Sequence, residues 1–244
     1  RASRTVPFVA KATGIPVAKI AAKVMCGKTL KELNFTSRPV LDYFAVKAPV
    51  FPYNKFPGTE VMLGPEMRST GEVMGMDKNL GVAFLKAFYG AGMKLPKHGR
   101  VLITVKSEHK RSIVPEAQLL LHMGYELIAT EGTWRALRAN GIECERVNKV
   151  QEGRPHIVDL IKNREIDLVL NTPYGMQQRR DDGKIRAAAI DANIPCATTR
   201  AGISAVISAL SALHRGDYEV HCLQTFAGEK APESGPVRAS KEPV

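Results

Sequence analysis

From Arg100 onward, short continuous apolar runs alternate with stretches of helical period. The runs Val101–Val105, Tyr125–Ala129, Cys144–Asn148, Asp167–Asn171 and Pro195–Thr198 read as buried strands. The intervening stretches 111–123, 132–140, 156–163, 184–193 and 201–213 read as helices. In the first of these Ile113, Ala117, Leu120 and Leu121 share a face, and in the last Ile203, Val206, Ile207, Leu210 and Leu213 do. Strands that alternate with helices in this way predict a five-stranded parallel sheet covered on both faces, an α/β fold.

The first ninety residues lack this rhythm. Val17, Ile20, Ala21, Val24 and Met25 predict one helix over Lys11–Cys26, stopped by Gly27, with a short helical piece over Lys28–Leu33. Phe44–Phe56 is β-rich, and Pro49 and Pro52 make it an edge strand or a bent one. Gly64–Met76 reads as a loop with a short strand, and Asn79–Gly90 as a helix with Leu80, Phe84, Ala87 and Phe88 on one side. Ala91–Gly99 has the composition of a linker, and Gly228–Val244 has no apolar pattern, which predicts disorder.

Composition changes this picture little. The chain has 244 residues, 44% hydrophobic and 24% charged, ordinary for a globular protein. No apolar run approaches the roughly 18 residues of a membrane helix, and no secretory leader is read at the start. The four cysteines show no CxxC spacing, so reduced structural thiols in a cytoplasmic setting are expected rather than a metal site. The net charge of +11 is spread along the chain, with aromatics at 6%. It suits anionic small molecules or an acidic partner at least as well as nucleic acid.

Candidate chemistry gathers at the carboxyl ends of the expected strands, where open α/β sheets bind ligands. Thr130, Gly132 and Thr133 join a strand to a helix start, whose free N–H groups and dipole attract phosphate. Thr130 could equally be a simple helix cap. Lys110 and Lys149 follow two further strands and would converge on the same turn if those strands are neighbours. Asn171 ends the fourth strand and can bond a ligand or its own turn. Arg1 and Arg4, in the opening RASRTVPF, are suited to an anionic intermediate. His156 is placed at a helix start.

Several motifs carry a family resemblance: RASRTVPF, NKFPG (Asn54–Gly58), LGPEMRSTGEVMG (Leu63–Gly75), VNKVQEGRPHI (Val147–Ile157) and NTPYG (Asn171–Gly175). In them Arg1–Gln224 resembles the C-terminal portion of the large subunit of carbamoyl phosphate synthetases. The resemblance implies that residues 1–92 are the tail of the second ATP-grasp unit, 93–98 a linker, 99–224 a methylglyoxal-synthase-like allosteric domain and 225–244 a disordered tail. It implies a catalytic contribution from Arg1 and Arg4, and effector binding by Thr104, Lys110, Thr130, Thr133, Lys149 and Asn171. Thr198 would be a remnant of an ornithine site, because Ala48 and Cys196-Ala197 replace the acidic and Tyr-Asp residues of that site, and Pro173 replaces a phosphate-site Thr.

For the intact enzyme the resemblance implies ATP with Mg2+ or Mn2+, a glutaminase small subunit and a nucleotide monophosphate effector, UMP or IMP, with self-association left open. For this stretch it implies no bound cofactor, no membrane and no nucleic acid. The rivals are a stand-alone methylglyoxal synthase, for which Glu131 is the one carboxylate expected near the turns, and a nucleic-acid-binding module suggested by charge.

Overall fold

The computed structural model describes residues 3–51, 69–172, 179–216, 218–226 and 237–238. Arg1 lies outside the described residues, as do the segments 52–68 and 173–178 that carry NKFPG, most of LGPEMRSTGEVMG and Pro173.

The main body is a five-stranded parallel sheet of β3 (Arg100–Thr104), β4 (Glu126–Thr130), β5 (Glu145–Val147), β6 (Leu168–Asn171) and β7 (Cys196–Ala197), ordered β5-β4-β3-β6-β7. The chain lays strands to one side of β3 and then returns to lay β6 and β7 on the other. The strand order therefore reverses between β3 and β6, where a crevice opens at the carboxyl edge. Side chains alternate across the sheet. Val101, Ile103, Leu127, Ala129, Leu168 and Leu170 enter one core with helices α4 (Val114–His122), α5 (Glu131–Arg138) and α8 (Arg200–Arg215). Leu102, Ile128 and Val169 enter the other, with α6 (Ile157–Lys162) and α7 (Arg179–Asp191).

All five expected strands and all five expected helices are found, with ends moved by a few residues. The largest shift is in α7, which begins at Arg179 rather than 184. Its opening Arg179-Arg180-Asp181-Asp182 is polar and shows no apolar period to read.

Before the sheet, the single helix expected over Lys11–Cys26 is instead two, α1 (Thr5–Thr13) and α2 (Val17–Met25). Gly14 takes the left-handed conformation (φ 69°) that ends α1, and Pro16 stands at the start of α2. Lys28–Leu33 is a set of hydrogen-bonded turns rather than a helix, in which Thr29 and Glu32 bond each other's backbone N–H. β1 (Phe44–Val50) and β2 (Gly71–Asp77) form a two-stranded antiparallel sheet, with Pro49 opposite Glu72.

Helix α3 (Leu80–Gly90) joins the two halves. Asn79 caps it by accepting from Val82 N at 3.2 Å, and Val82 and Leu85 bury into the core that α8 closes. The two helices touch at Gly81, where a Cβ would come within 2.5 Å of the Ser208 carbonyl oxygen. The stretch after α3 is held down too. Leu95 is buried in the same core, and the Tyr125 hydroxyl donates to the Pro96 carbonyl at 2.5 Å.

At the far end Glu219–Val220 (β8) and Val237–Arg238 (β9) form a short antiparallel ladder. β9 lies in the stretch whose composition predicts no order, because backbone pairing leaves no trace in composition.

Candidate functional site

A cavity of about 390 Å³ opens at the carboxyl edge of β3, β4 and β5, lined by Thr104, Lys110, Thr130, Gly132, Thr133 and Lys149 with the turn Val150–Glu152. Ile157, Asp182 and Ile185 complete its wall. Five of the six residues singled out as anion-binding therefore share one wall. The sixth, Asn171, stands behind it: fully buried, paired in register with Thr104, and donating from Nδ2 to Asp182 Oδ1 at 3.1 Å.

The threonines are arranged by the sheet. Thr104 and Thr130 end adjacent strands, and the Thr130 hydroxyl donates to Thr104 Oγ1 at 3.2 Å. Thr130 occupies the N-cap position of α5, yet its side chain does not cap the helix. The simple-cap alternative is therefore excluded, and the first N–H groups of α5 lack a side-chain cap beside the cavity. Thr133 Oγ1 accepts from Val105 N at 3.3 Å. Its hydroxyl proton is thereby left to donate into the pocket.

Lys110 is brought in by a 3₁₀ turn (Ser107–His109). That turn is tied to the end of β6: Lys106 N donates to Thr172 Oγ1 at 3.1 Å, and His109 Nδ1 lies 3.2 Å from the same hydroxyl. With Thr172 Oγ1 already accepting, its proton goes to His109 Nδ1, which fits a neutral imidazole. Burial, with the nearby charges of Lys106 and Arg200, holds the His109 pKa below its ordinary range. The Lys110 ammonium lies over Gly132, where a Cβ would stand 2.8 Å from Nζ. A side chain at that position would intrude between the cation and the helix start. Lys149 is exposed, and its turn is closed by Glu152, whose carboxylate accepts from Lys149 N at 2.9 Å.

One expectation needs correction. Glu131 is not on the cavity wall; Arg135 Nε donates to it at 2.5 Å and Arg146 at 2.8 Å. Burial by itself would raise its pKa, but the hydrogen bonds and charges of the two arginines bring it below the usual carboxylate value. The carboxylates at the cavity are Glu152 and Asp182. Sequence reading passed over both, and over Thr172. Their signal was position: Glu152 closes the turn that starts at Lys149, and Asp182 lies in the polar opening of α7.

The remaining candidates stand apart from this cavity. Arg4 precedes α1 and donates to the Ser69 carbonyl at 3.3 Å. Thr198 follows β7, beyond β6. Ala48 sits in β1, and His156 caps α6 in a reciprocal box with Asp159, as expected. Among the described residues no group of three or more His, Cys, Asp or Glu side chains is placed to hold a metal ion, and no helix is long and apolar enough to cross a membrane.

A parallel sheet of this order with an anion-lined crevice at its carboxyl edge defines the class, and residues 112–198 match the MGS-like domain family. Over nearly its whole length the chain is a homologue of the carbamoyl phosphate synthase large chain. It is 49% identical to that of Rhodopirellula baltica over 224 residues, 92% of this chain and 21% of the other. To that of Nostoc sp. it is 47% identical over 226 residues, 93% and 20%. The chain thus spans about one fifth of the length of these relatives. A solved methylglyoxal synthase from Elizabethkingia anophelis NUHP1 aligns at 22% identity over 57% of this chain and 97% of that one, with a TM-score of 0.40.

Proposed function

We propose that this chain is the effector-binding end of a carbamoyl phosphate synthase large chain, and that the cavity at the carboxyl edge of its parallel sheet takes a nucleotide monophosphate, UMP or IMP. The observation that carries this is the convergence of Thr104, Lys110, Thr130, Thr133 and Lys149 on one cavity beside the uncapped start of α5. Two ammonium groups, three hydroxyls and a helix dipole suit a phosphate dianion.

In this reading the whole enzyme is an ATP-dependent ligase of the cytoplasm. It makes carbamoyl phosphate from bicarbonate and glutamine-derived ammonia, with Mg2+ or Mn2+ and a glutaminase small subunit. Residues 1–92 belong to its second ATP-grasp unit, where Arg1 and Arg4 edge the active site, and residues 99–224 form the regulatory domain. The ATP and metal chemistry belongs to the rest of the large chain, so this chain on its own does not form carbamoyl phosphate.

Calorimetry tests the site. UMP binds the 244-residue chain, and Lys149→Ala weakens it by about 1.5–3 kcal/mol, the scale of a charge-assisted hydrogen bond. Failure of UMP, IMP and inorganic phosphate all to bind refutes the assignment. The carboxylates Glu152 and Asp182 at the cavity favour one other reading, a lyase acting on dihydroxyacetone phosphate. Release of methylglyoxal by the purified chain would establish it.

A further inference from the structure

An anion site has little use for carboxylates, yet Asp182 is on the cavity wall and only 8% exposed. It comes from α7, which follows β6, on the other side of β3 from the β4 and β5 turns that bring Thr130, Thr133 and Lys149. The cavity thus has two chemistries. Donors and cations come from β3, β4 and β5, and an acceptor comes from beyond the strand-order reversal.

Behind Asp182 stands Asn171. A carboxylate can only accept, so the 3.1 Å contact from Asn171 Nδ2 to Asp182 Oδ1 fixes which way the amide points. Asn171 Oδ1 is then left buried with no hydrogen-bond partner. An acceptor in that condition is costly unless a ligand or a water reaches it.

We infer that Asp182 selects ligands that carry a sugar diol: it accepts a hydrogen bond from a ribose hydroxyl of the bound nucleotide, while Asn171 is a positioning residue that holds the carboxylate. The inference rests on the effector reading above and adds its sugar specificity. A phosphate dianion brings no donor for Asp182 and is repelled by it, so the phosphate lies with the lysines and the start of α5. The part of the ligand that meets Asp182 must be uncharged and bear O–H groups. The vicinal diol of a ribose supplies two donors, matching the Asp182 carboxylate and the orphan Asn171 Oδ1. Asn171 itself is not on the wall; it lies between two wall residues, Thr104 and Asp182, bonded to one through the sheet and to the other through its side chain.

The test is calorimetry on the full 244-residue chain with UMP, its 2′-deoxy and 3′-deoxy analogues, and inorganic phosphate. Wild type is expected to bind UMP about tenfold or more tightly than at least one deoxy analogue, the scale of one hydrogen bond to a charged group. Asp182→Asn brings that ratio close to one and leaves phosphate affinity unchanged. Asn171→Ala likewise shrinks the ratio without loss of phosphate binding, whereas a merely structural role would lower all affinities together. The ligand series on wild type needs no variant to fold. Equal binding of UMP and both analogues by wild type overturns the inference and leaves the effector site standing, and so does an undiminished ratio in Asp182→Asn. If neither UMP nor phosphate binds wild type, the effector reading falls first.

Discussion

Replacing Gly132 by alanine separates stability from binding at the cavity. Gly132 is the second residue of α5, where alanine is favoured over glycine by up to about 1 kcal/mol through backbone entropy and helix propensity. Against this, the new methyl would stand 2.8 Å from Lys110 Nζ, about half an ångström inside ordinary contact. The obstacle is the end of a flexible side chain, bonded only to Ser107 Oγ at 3.5 Å, so in the free protein the ammonium swings aside at little cost. The bound anion has no such latitude. It needs the ammonium and the first N–H groups of α5 together, and the methyl lies between them. The expected loss is most of one charge-assisted hydrogen bond, about 1–2 kcal/mol, or roughly tenfold in affinity. Thermal melts read the first effect and calorimetry with UMP and phosphate the second. The expected pair is an unchanged or higher Tm with weaker binding. Undiminished affinity in Gly132→Ala, with clear weakening in Lys110→Ala, would refute the idea that lysine and helix start grip the same group.

Two further outcomes follow from contacts away from the anion. Gly81→Ala puts a methyl 2.5 Å from a backbone oxygen of α8 rather than from a movable side chain, so α3 and α8 must part; a loss of about 1–3 kcal/mol is expected in urea unfolding, and wild-type stability would disprove the tight crossing. His109 gives a pH signature. Its folded pKa is depressed, chiefly by burial, so the unfolded state takes up its proton first. The stability from neutral His109 is fully present above about pH 6.5 and is lost as pH falls toward the folded value. Urea midpoints between about pH 5 and 8 should rise with pH, and His109→Gln should flatten that part of the curve; identical slopes would show that the Thr172 contact is not proton-linked.

What was legible in the sequence was what repeats along the chain. Val101–Thr104, Leu127–Ala129 and Leu168–Leu170 are buried on both faces, which writes a continuous apolar run. Ile203, Val206, Ile207, Leu210 and Leu213 recur with the helical period. Thr104, Thr130 and Asn171 could be marked because the end of a parallel strand is recognisable from its own residues. So could Lys110 and Lys149, one turn beyond such an end. Their family resemblance lay in local motifs of the same kind.

Tertiary structure decided the rest, because it depends on which distant segments become neighbours. Nothing local to Gly81 announces the Ser208 carbonyl across the helix crossing, and nothing local to Gly132 announces the Lys110 ammonium above it. Glu131, adjacent in sequence to the phosphate turn, is drawn away by Arg135 and Arg146. Asp182, eleven residues past Asn171, is brought back to the cavity by their mutual hydrogen bond. Periodicity says which face of an element is apolar; the order β5-β4-β3-β6-β7 says which carboxyl ends share a crevice, and that order is set by long-range burial, which no single stretch of the chain encodes.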